Sequence, residues 1–397
     1  MKLYLRGNRN SGWFRCSAEG EGKGMAYHFR ITVYALCLCM VLGLVFGPLT
    51  VSAATSSDIP KTQFNYGLRS GSTVVLKWNA VPGAEGYQIR MSSDKKFSDF
   101  KNRPIRYGDK LSTTITNVTE KGNIYYKIRS YRLGPDGKKI YSKWSGKLCI
   151  AGFDSSYEFA GNSKINSGFA TIYYAVGPGR KKKTVCVNAG HGTKGGESAS
   201  TLCHPDGSAK VTGGTTASGS TYATAVSAGT TLNDGSSEAS VNLKLALTLK
   251  DKLLEKGYNV LMIRQTDDVQ LDNIARTVLA NNLADCHIAL HYDSTTSDKG
   301  AFYISVPDVS SYRAMYPVSS HYKDHEKLGK SLVDGLKGAG IKIYGSGSMG
   351  IDLTQTSYST VPSVDLEVGD KASDHSASAH EKIADGIVAG VDAFFGK

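Results

Sequence analysis

Paired cysteines are the plainest lack in this chain. Seven occur in 397 residues and none form a C-x-x-C pair, which excludes a thiolate zinc site and a thioredoxin-like motif. Cys16, Cys37 and Cys39 lie in or before an apolar run near the start. Cys149, Cys186, Cys203 and Cys286 are too scattered for a disulfide scaffold and read as buried free thiols. Acidic charge is also short, with 35 Asp and Glu against 47 Lys and Arg, a net +12. Such a surplus suits a polyanionic neighbour, and no RNA- or DNA-binding module is present to make that neighbour a nucleic acid. A serine-hydrolase elbow is excluded too, because Ser346-Gly347-Ser348-Met349-Gly350 lacks the first glycine of G-x-S-x-G.

Charge is missing altogether between Ile31 and Ala53. A basic stretch precedes this apolar run, which ends in Gly47-Pro48 and the small-residue pattern Val51-Ser52-Ala53. That order is a secretory signal cleaved after Ala53. The run is also nearly as long as the roughly 20 residues of a membrane span, so an uncleaved anchor is the alternative. Cys37 and Cys39 each follow a leucine, which argues against lipoprotein processing. Residues 1–53 carry six Lys or Arg and two Glu, so their removal lowers the net charge from +12 to +8.

What is present divides into two parts. After a polar linker, residues 54–72, the sequence becomes strand-like. Val74 to Trp78, Gly86 to Arg90, Tyr125 to Tyr131 and Lys139 to Trp144 alternate, with Val81-Pro82-Gly83-Ala84 as a turn. Several short strands in about eighty residues predict an all-β sandwich. LKWNAVPGAEGYQIRMS, YYKIRSYR and YSKWSG resemble a fibronectin type III domain over residues 73–150, with Trp78 in its core. This module has no carboxylate–histidine cluster and is expected to bind or space. Asn117-Val118-Thr119 has the form of a glycosylation acceptor. Residues 151–183, ending in Arg180-Lys181-Lys182-Lys183, read as a linker or as strands packing on a neighbour.

From Thr184 to Lys397 strands and helices alternate, which predicts an α/β domain with a sheet covered by helices and functional groups at the strand ends. Thr184–Ala189 is a strand stopped by Gly190-His191-Gly192. Residues 238–256 are an amphipathic helix, with Val241, Leu245 and Leu249 on one face and Gly257 at its end. Strands follow at 258–263, 287–290 and 363–366, and helices at 271–282, 323–337 and 380–395. His191 and His291 fall at strand ends, and Glu238 opens a helix beside them. Two imidazoles, one carboxylate and an open fourth position make a catalytic zinc set, while a structural histidine at a strand end is the alternative.

VCVNAGHG, SEASVNLKLALTLKDKLLEKGYNVLMIRQTDD, NIARTVLANNLADCHIALHYDS and VPSVDLEVGD, in that order, resemble the motifs of the zinc-dependent N-acetylmuramoyl-L-alanine amidases. The resemblance implies a mixed α/β sheet, Zn2+ as cofactor, and His191, Glu238 and His291 as metal ligands. It places Glu367 at the catalytic position, taking a proton from the attacking water and passing it to the departing amine. The implied substrate is peptidoglycan, cut between N-acetylmuramic acid and L-alanine by a secreted or wall-associated monomer. Contact with a membrane is expected only through an uncleaved leading segment. A peptidoglycan endopeptidase and an inactive wall-binding protein on the same fold are the alternatives.

The remaining histidines read differently. His287 lies four residues before His291 but on a strand, where an H-E-x-x-H helix pair does not apply. His204, His321, His325, His375 and His380 fall in polar stretches and are expected in solvent. The Gly/Ser/Thr/Ala-rich residues 192–237 read as a mobile flap near the metal. Tyr292-Asp293-Ser294 and Val368-Gly369-Asp370 depart from the family pattern.

Overall fold

A computed structural model describes residues 59–397; the expected signal or anchor segment lies outside the described residues. No helix among those described is long and apolar enough to cross a membrane. The first seven strands are β1 (Phe64–Ser70), β2 (Thr73–Trp78), β3 (Gly86–Ser92), β4 (Lys101–Ile105), β5 (Ser112–Ile115), β6 (Ile124–Leu133) and β7 (Lys139–Tyr141). β1, β2 and β5 form one antiparallel sheet, and β4, β3, β6 and β7 belong to a second. Alternation sends Val74, Leu76 and Trp78 of β2 inward, where they share a core with Ile89 of β3 and Ile128 of β6. Trp78 meets Tyr87 edge-on at 5.4 Å between ring centroids. Phe64–Ser70, assigned above to a linker, is a strand because Phe64, Gly67 and Arg69 are buried on alternate or near-alternate positions.

The second sheet does not end with this β-rich region. β8 (Leu148–Gly152) pairs with β6, and β9 (Phe169–Tyr173) pairs with both β8 and the later strand at residues 259–262. Of the stretch read as a linker or as packing strands, residues 169–173 are therefore a central strand. A twelve-stranded sheet results, and the described residues 59–397 fall in one compact unit. Buried polar groups lock the join. Gly67 N–H donates to the Tyr173 hydroxyl at 3.0 Å, and the Gln265 side-chain amide donates to Gly67 O at 2.7 Å.

The C-terminal part adds β10 (Thr184–Ala189), the hairpin β11 (Ser200–Leu202) and β12 (Tyr222–Thr224), then β13 (Asn259–Met262), β14 (Cys286–Asp293), β15 (Ala301–Ser305), β16 (Ile343–Gly350) and β17 (Ser363–Asp370). Its helices are α1 (Glu238–Glu255), α2 (Asn273–Leu283), α3 (Ser310–Ala314), α4 (Val318–Gly338), α5 (Thr354–Tyr358) and α6 (Ala377–Phe395). β13, β10, β14 and β17 run parallel, while β9 and β15 flank them antiparallel, so the sheet is mixed. Successive side chains of β10 go to opposite faces. Val185 and Val187 join the core with Leu245 and Leu249 of α1 and Ile387 of α6, whereas Cys186 joins Ala275 and Leu279 of α2. Cys149, Cys186, Cys203 and Cys286 are free and buried.

Candidate metal centre

The site is built on the turn that stops β10. His191 there has φ 62°, in the left-handed region that costs a residue bearing a Cβ about 1–2 kcal/mol. Two buried arginines hold that turn. Arg264 donates to Ala189 O at 2.9 Å, to Gly190 O at 2.7 Å and to Ala239 O at 2.6 Å, tying the turn to the start of α1. Arg276, from α2, donates to His191 O at 2.6 Å and to the Asn188 side chain at 3.2 Å. Their acceptors are neutral, and burial lowers their pKa values to about 10 for Arg264 and about 9 for Arg276. Gly190 is required because a Cβ there would sit 2.1 Å from the His291 ring.

Glu238 is the first residue of α1, capped by Ser237, whose hydroxyl accepts from Ser240 N–H at 3.3 Å. Three donor atoms then converge. His191 Nε2 and His291 Nδ1 lie 2.9 and 3.0 Å from Glu238 Oε1, and 3.1 Å from one another. These separations are a few tenths shorter than the roughly 3.3 Å expected between ligands of a tetrahedral zinc with bonds of about 2.0–2.1 Å. The surrounding groups prepare the same arrangement. His191 Nδ1 donates to Ser227 O at 2.8 Å, which leaves Nε2 with a free lone pair. Glu238 accepts from Thr230 N–H at 2.9 Å and from Tyr292 N–H at 3.2 Å. Burial opposes its charge, but the adjoining His191 and His291 imidazoles hold its pKa well below the usual carboxylate range. The donor set fits a zinc ion.

An acid pair faces this cluster. Val364 and Leu366 of β17 enter the α1–α6 core, so alternation turns Asp365 and Glu367 to the other face, toward His291. Glu367 is the parallel register partner of His291, and its strand runs on to Asp370, not ending at Leu366 as expected. Glu367 Oε2 and Asp365 Oδ1 are buried with no hydrogen-bond partner among the described residues. Burial, then the neighbouring Asp365, pushes Glu367 well above its ordinary pKa; burial also raises Asp365. Burial disfavours a charged His291, but Asp365 and then Glu238 outweigh it and push its pKa up to about 10.

These groups line a groove of about 680 Å³ whose far wall is the 192–237 segment. That segment is pinned to the body. Asp352 accepts from His204 Nε2 at 3.1 Å, from Lys210 Nζ at 3.0 Å, from Val211 N–H at 2.7 Å and from the Thr212 hydroxyl.

Of the residues expected at the site, His191, Glu238 and His291 converge and Glu367 lies beside them. His287 stands apart, fully buried, with Nε2 3.2 Å from the Asn188 amide. His204, His325 and His380, expected in solvent, are buried instead. Polarity of the surrounding sequence misled here: each imidazole faces inward from a polar stretch, and His325 Nδ1 accepts the Ser363 N–H at 2.9 Å. Sequence reasoning missed Asp365, Arg264 and Arg276. The two-residue step from Asp365 to Glu367 was the signal available for the first.

A family model described as N-acetylmuramoyl-L-alanine amidase matches residues 185–393, more than half of the chain. The chain belongs to the N-acetylmuramoyl-L-alanine amidase family. The matched span starts at the second residue of β10 and ends near the close of α6, so it contains the His191–Glu238–His291 cluster and the Asp365–Glu367 pair. Among solved structures, the chain is similar to the N-acetylmuramyl-L-alanine amidase Ami1 from Mycobacterium smegmatis, at 20% identity and TM-score 0.44, covering 54% of this chain and 97% of that one. It is also similar to an N-acetylmuramoyl-L-alanine amidase from Clostridium difficile 630, at 18% identity and TM-score 0.39, covering 54% and 97%. The CwlD amidase of Clostridioides difficile, solved with the GerS lipoprotein, gives 18% identity and TM-score 0.38 over 54% and 99%. No curated protein matches the chain.

Proposed function

We propose that this chain is a zinc-dependent hydrolase that cleaves the amide joining N-acetylmuramic acid to the L-alanine of the peptidoglycan stem. The observation that carries the reading is the convergence of His191 Nε2, Glu238 Oε1 and His291 Nδ1 beside the unpartnered Glu367 Oε2, all within one groove. His191, Glu238 and His291 would hold the ion. A zinc ion in such a set supplies Lewis acidity toward water and toward the amide carbonyl.

The protein's own groups do the rest. Glu367 Oε2 has no competing donor among the described residues and takes the proton of the attacking water; burial, and then the neighbouring Asp365, raise its proton affinity and so suit it to that step. The same oxygen then delivers the proton to the departing nitrogen. Ser227 and Thr230 of the flap keep His191 and Glu238 oriented while the flap closes one side of the groove. We further infer that the leading segment exports the chain to the wall and that residues 73–150 are a fibronectin type III-like module.

Mass analysis of peptidoglycan digested by the purified full chain with zinc tests this directly. Stem peptides beginning with L-alanine are expected. Shortened stems still attached to glycan would replace the reading with an endopeptidase, and an unchanged wall would leave a binding protein.

A further inference from the structure

The outer face of the β-rich region carries a second built feature, remote in sequence from the metal centre. On β3 and β6 the register sets Arg90 directly opposite Lys127, and Gln88 opposite Arg129. Because positions two apart share a face, Arg90, Lys127 and Arg129 stand together on the side turned away from the Trp78 core. Like charges placed as cross-strand partners destabilise a sheet. Nothing acidic among the described residues relieves them: Arg90 donates to the Asn102 amide oxygen at 3.0 Å, and Arg129 donates two bonds to the Gln88 amide oxygen at 2.9 and 2.7 Å. The guanidinium groups are thus oriented but not neutralised.

Aromatic rings complete the array. Trp144 lies under all three cations, 4.6 Å from Arg90, 5.2 Å from Lys127 and 4.5 Å from Arg129. Phe100 stacks on Arg90 at 3.5 Å and Tyr141 on Arg129 at 3.7 Å. Beside this ladder, Lys95, Lys96, Lys127 and Lys147 surround an open depression of about 590 Å³ floored by Phe97 and Trp144. Asp94, the acid nearest Lys147 in its electrostatics, commits its oxygens to the N–H groups of Lys96 and Ser98 at 2.9 and 2.8 Å. Burial lowers the pKa of Lys127, and Arg90, Lys147 and Arg129 lower it further, as expected where cations crowd together.

We propose that this face is a binding site for an anionic wall polymer built of polyol units joined by phosphodiesters. Planar guanidinium forks match phosphate oxygens bidentately, and a phosphodiester chain repeats that match along its length. The rings between the cations offer apolar surface to the carbon backbone between successive phosphates. A repeating chain can meet several cations at once, which a single free phosphate cannot. The site is separate from the metal centre, and its test reads binding alone.

The test measures binding of the full chain to poly(glycerol phosphate) by titration calorimetry over a range of salt concentrations. Binding should weaken as salt screens the cluster. A Lys95→Gln/Lys127→Gln/Lys147→Gln variant should bind roughly tenfold more weakly, since one exposed and two half-buried cations are removed. Arg90→Lys, which keeps charge but loses the planar fork, should also bind more weakly, with a melting temperature matching the parent chain. Equal binding by the triple variant overturns the proposal. So does equal affinity of the parent for polyglutamate, which would reduce the face to unspecific charge. Tighter retention on phosphatidylglycerol vesicles than on the polymer would overturn it in favour of a membrane surface.

Discussion

His291 and Glu367 are register partners on adjacent parallel strands, so the backbone ladder itself fixes the spacing between a candidate ligand and the candidate proton carrier. Neither side chain depends on a loop for its position. Replacing Glu367 by Gln keeps the shape and removes the base. Turnover should fall by about 10²–10⁴ while zinc content by elemental analysis stays at the parent level. A variant that loses its zinc would reassign Glu367 to the ligand set.

His191 occupies backbone that glycine adopts freely and alanine does not. His191→Gly and His191→Ala should both lose zinc. In chelator-treated protein, however, the glycine variant should be more stable than the alanine variant by about 1 kcal/mol. Thermal or urea unfolding measures the difference, and equal stabilities would show that Arg264 and Arg276 do not hold a strained turn.

Asp352 gathers His204, Lys210 and the 211–212 backbone onto one carboxylate, and these bonds keep its pKa well below the ordinary range despite burial. Asp352→Asn should release the 204–216 segment. Limited proteolysis there should become roughly tenfold faster, with KM raised and zinc retained. Unchanged cleavage of that segment would mean the wall of the groove is held by other contacts.

Acid should destabilise the fold through its buried histidines. Burial lowers the pKa of His287 and His325 to about 3 and of His380 to about 4. Unfolded histidine titrates near pH 6.5. Between those values the unfolded chain binds protons that the native chain refuses, so stability falls as pH drops. Each group contributes up to about 1.4 kcal/mol per pH unit over its window. His325→Gln keeps an acceptor for Ser363 N–H and removes one titration. With chelator present throughout, its melting temperature should fall less than the parent's between pH 7 and pH 5. Identical falls would remove His325 from the account.

The sequence disclosed the parts whose signals are local. The α1 periodicity and its Gly257 stop place Glu238 with little ambiguity, and a strand-end position isolates His191; His291, expected at a strand end too, lies inside β14, which runs on to Asp293. Non-local features were not legible. β9 reads as an ordinary Gly- and Tyr-containing stretch, and only pairing with β8 and β13 makes it the strand that joins both parts. Asp365 sits in an apolar run where a carboxylate looks like an irregularity; the partner strand shows that it faces the groove. Arg264 and Arg276 act by bonding carbonyls far along the chain, a role no residue pattern announces. The buried histidines mislead for a related reason, since local polarity says nothing of which side chain turns inward.

The shared sheet also has a mechanical meaning. Two domains on a flexible tether sample many separations, and anchoring one merely raises the local concentration of the other. Here Gly67, Tyr173 and Gln265 weld the β-rich region to the catalytic part, leaving no hinge between them. Whatever the outer face grips, the groove stands at a set offset and heading from it. If the outer face holds the wall as proposed, the molecule would behave as a gauge, its cuts falling at a fixed distance from its point of attachment.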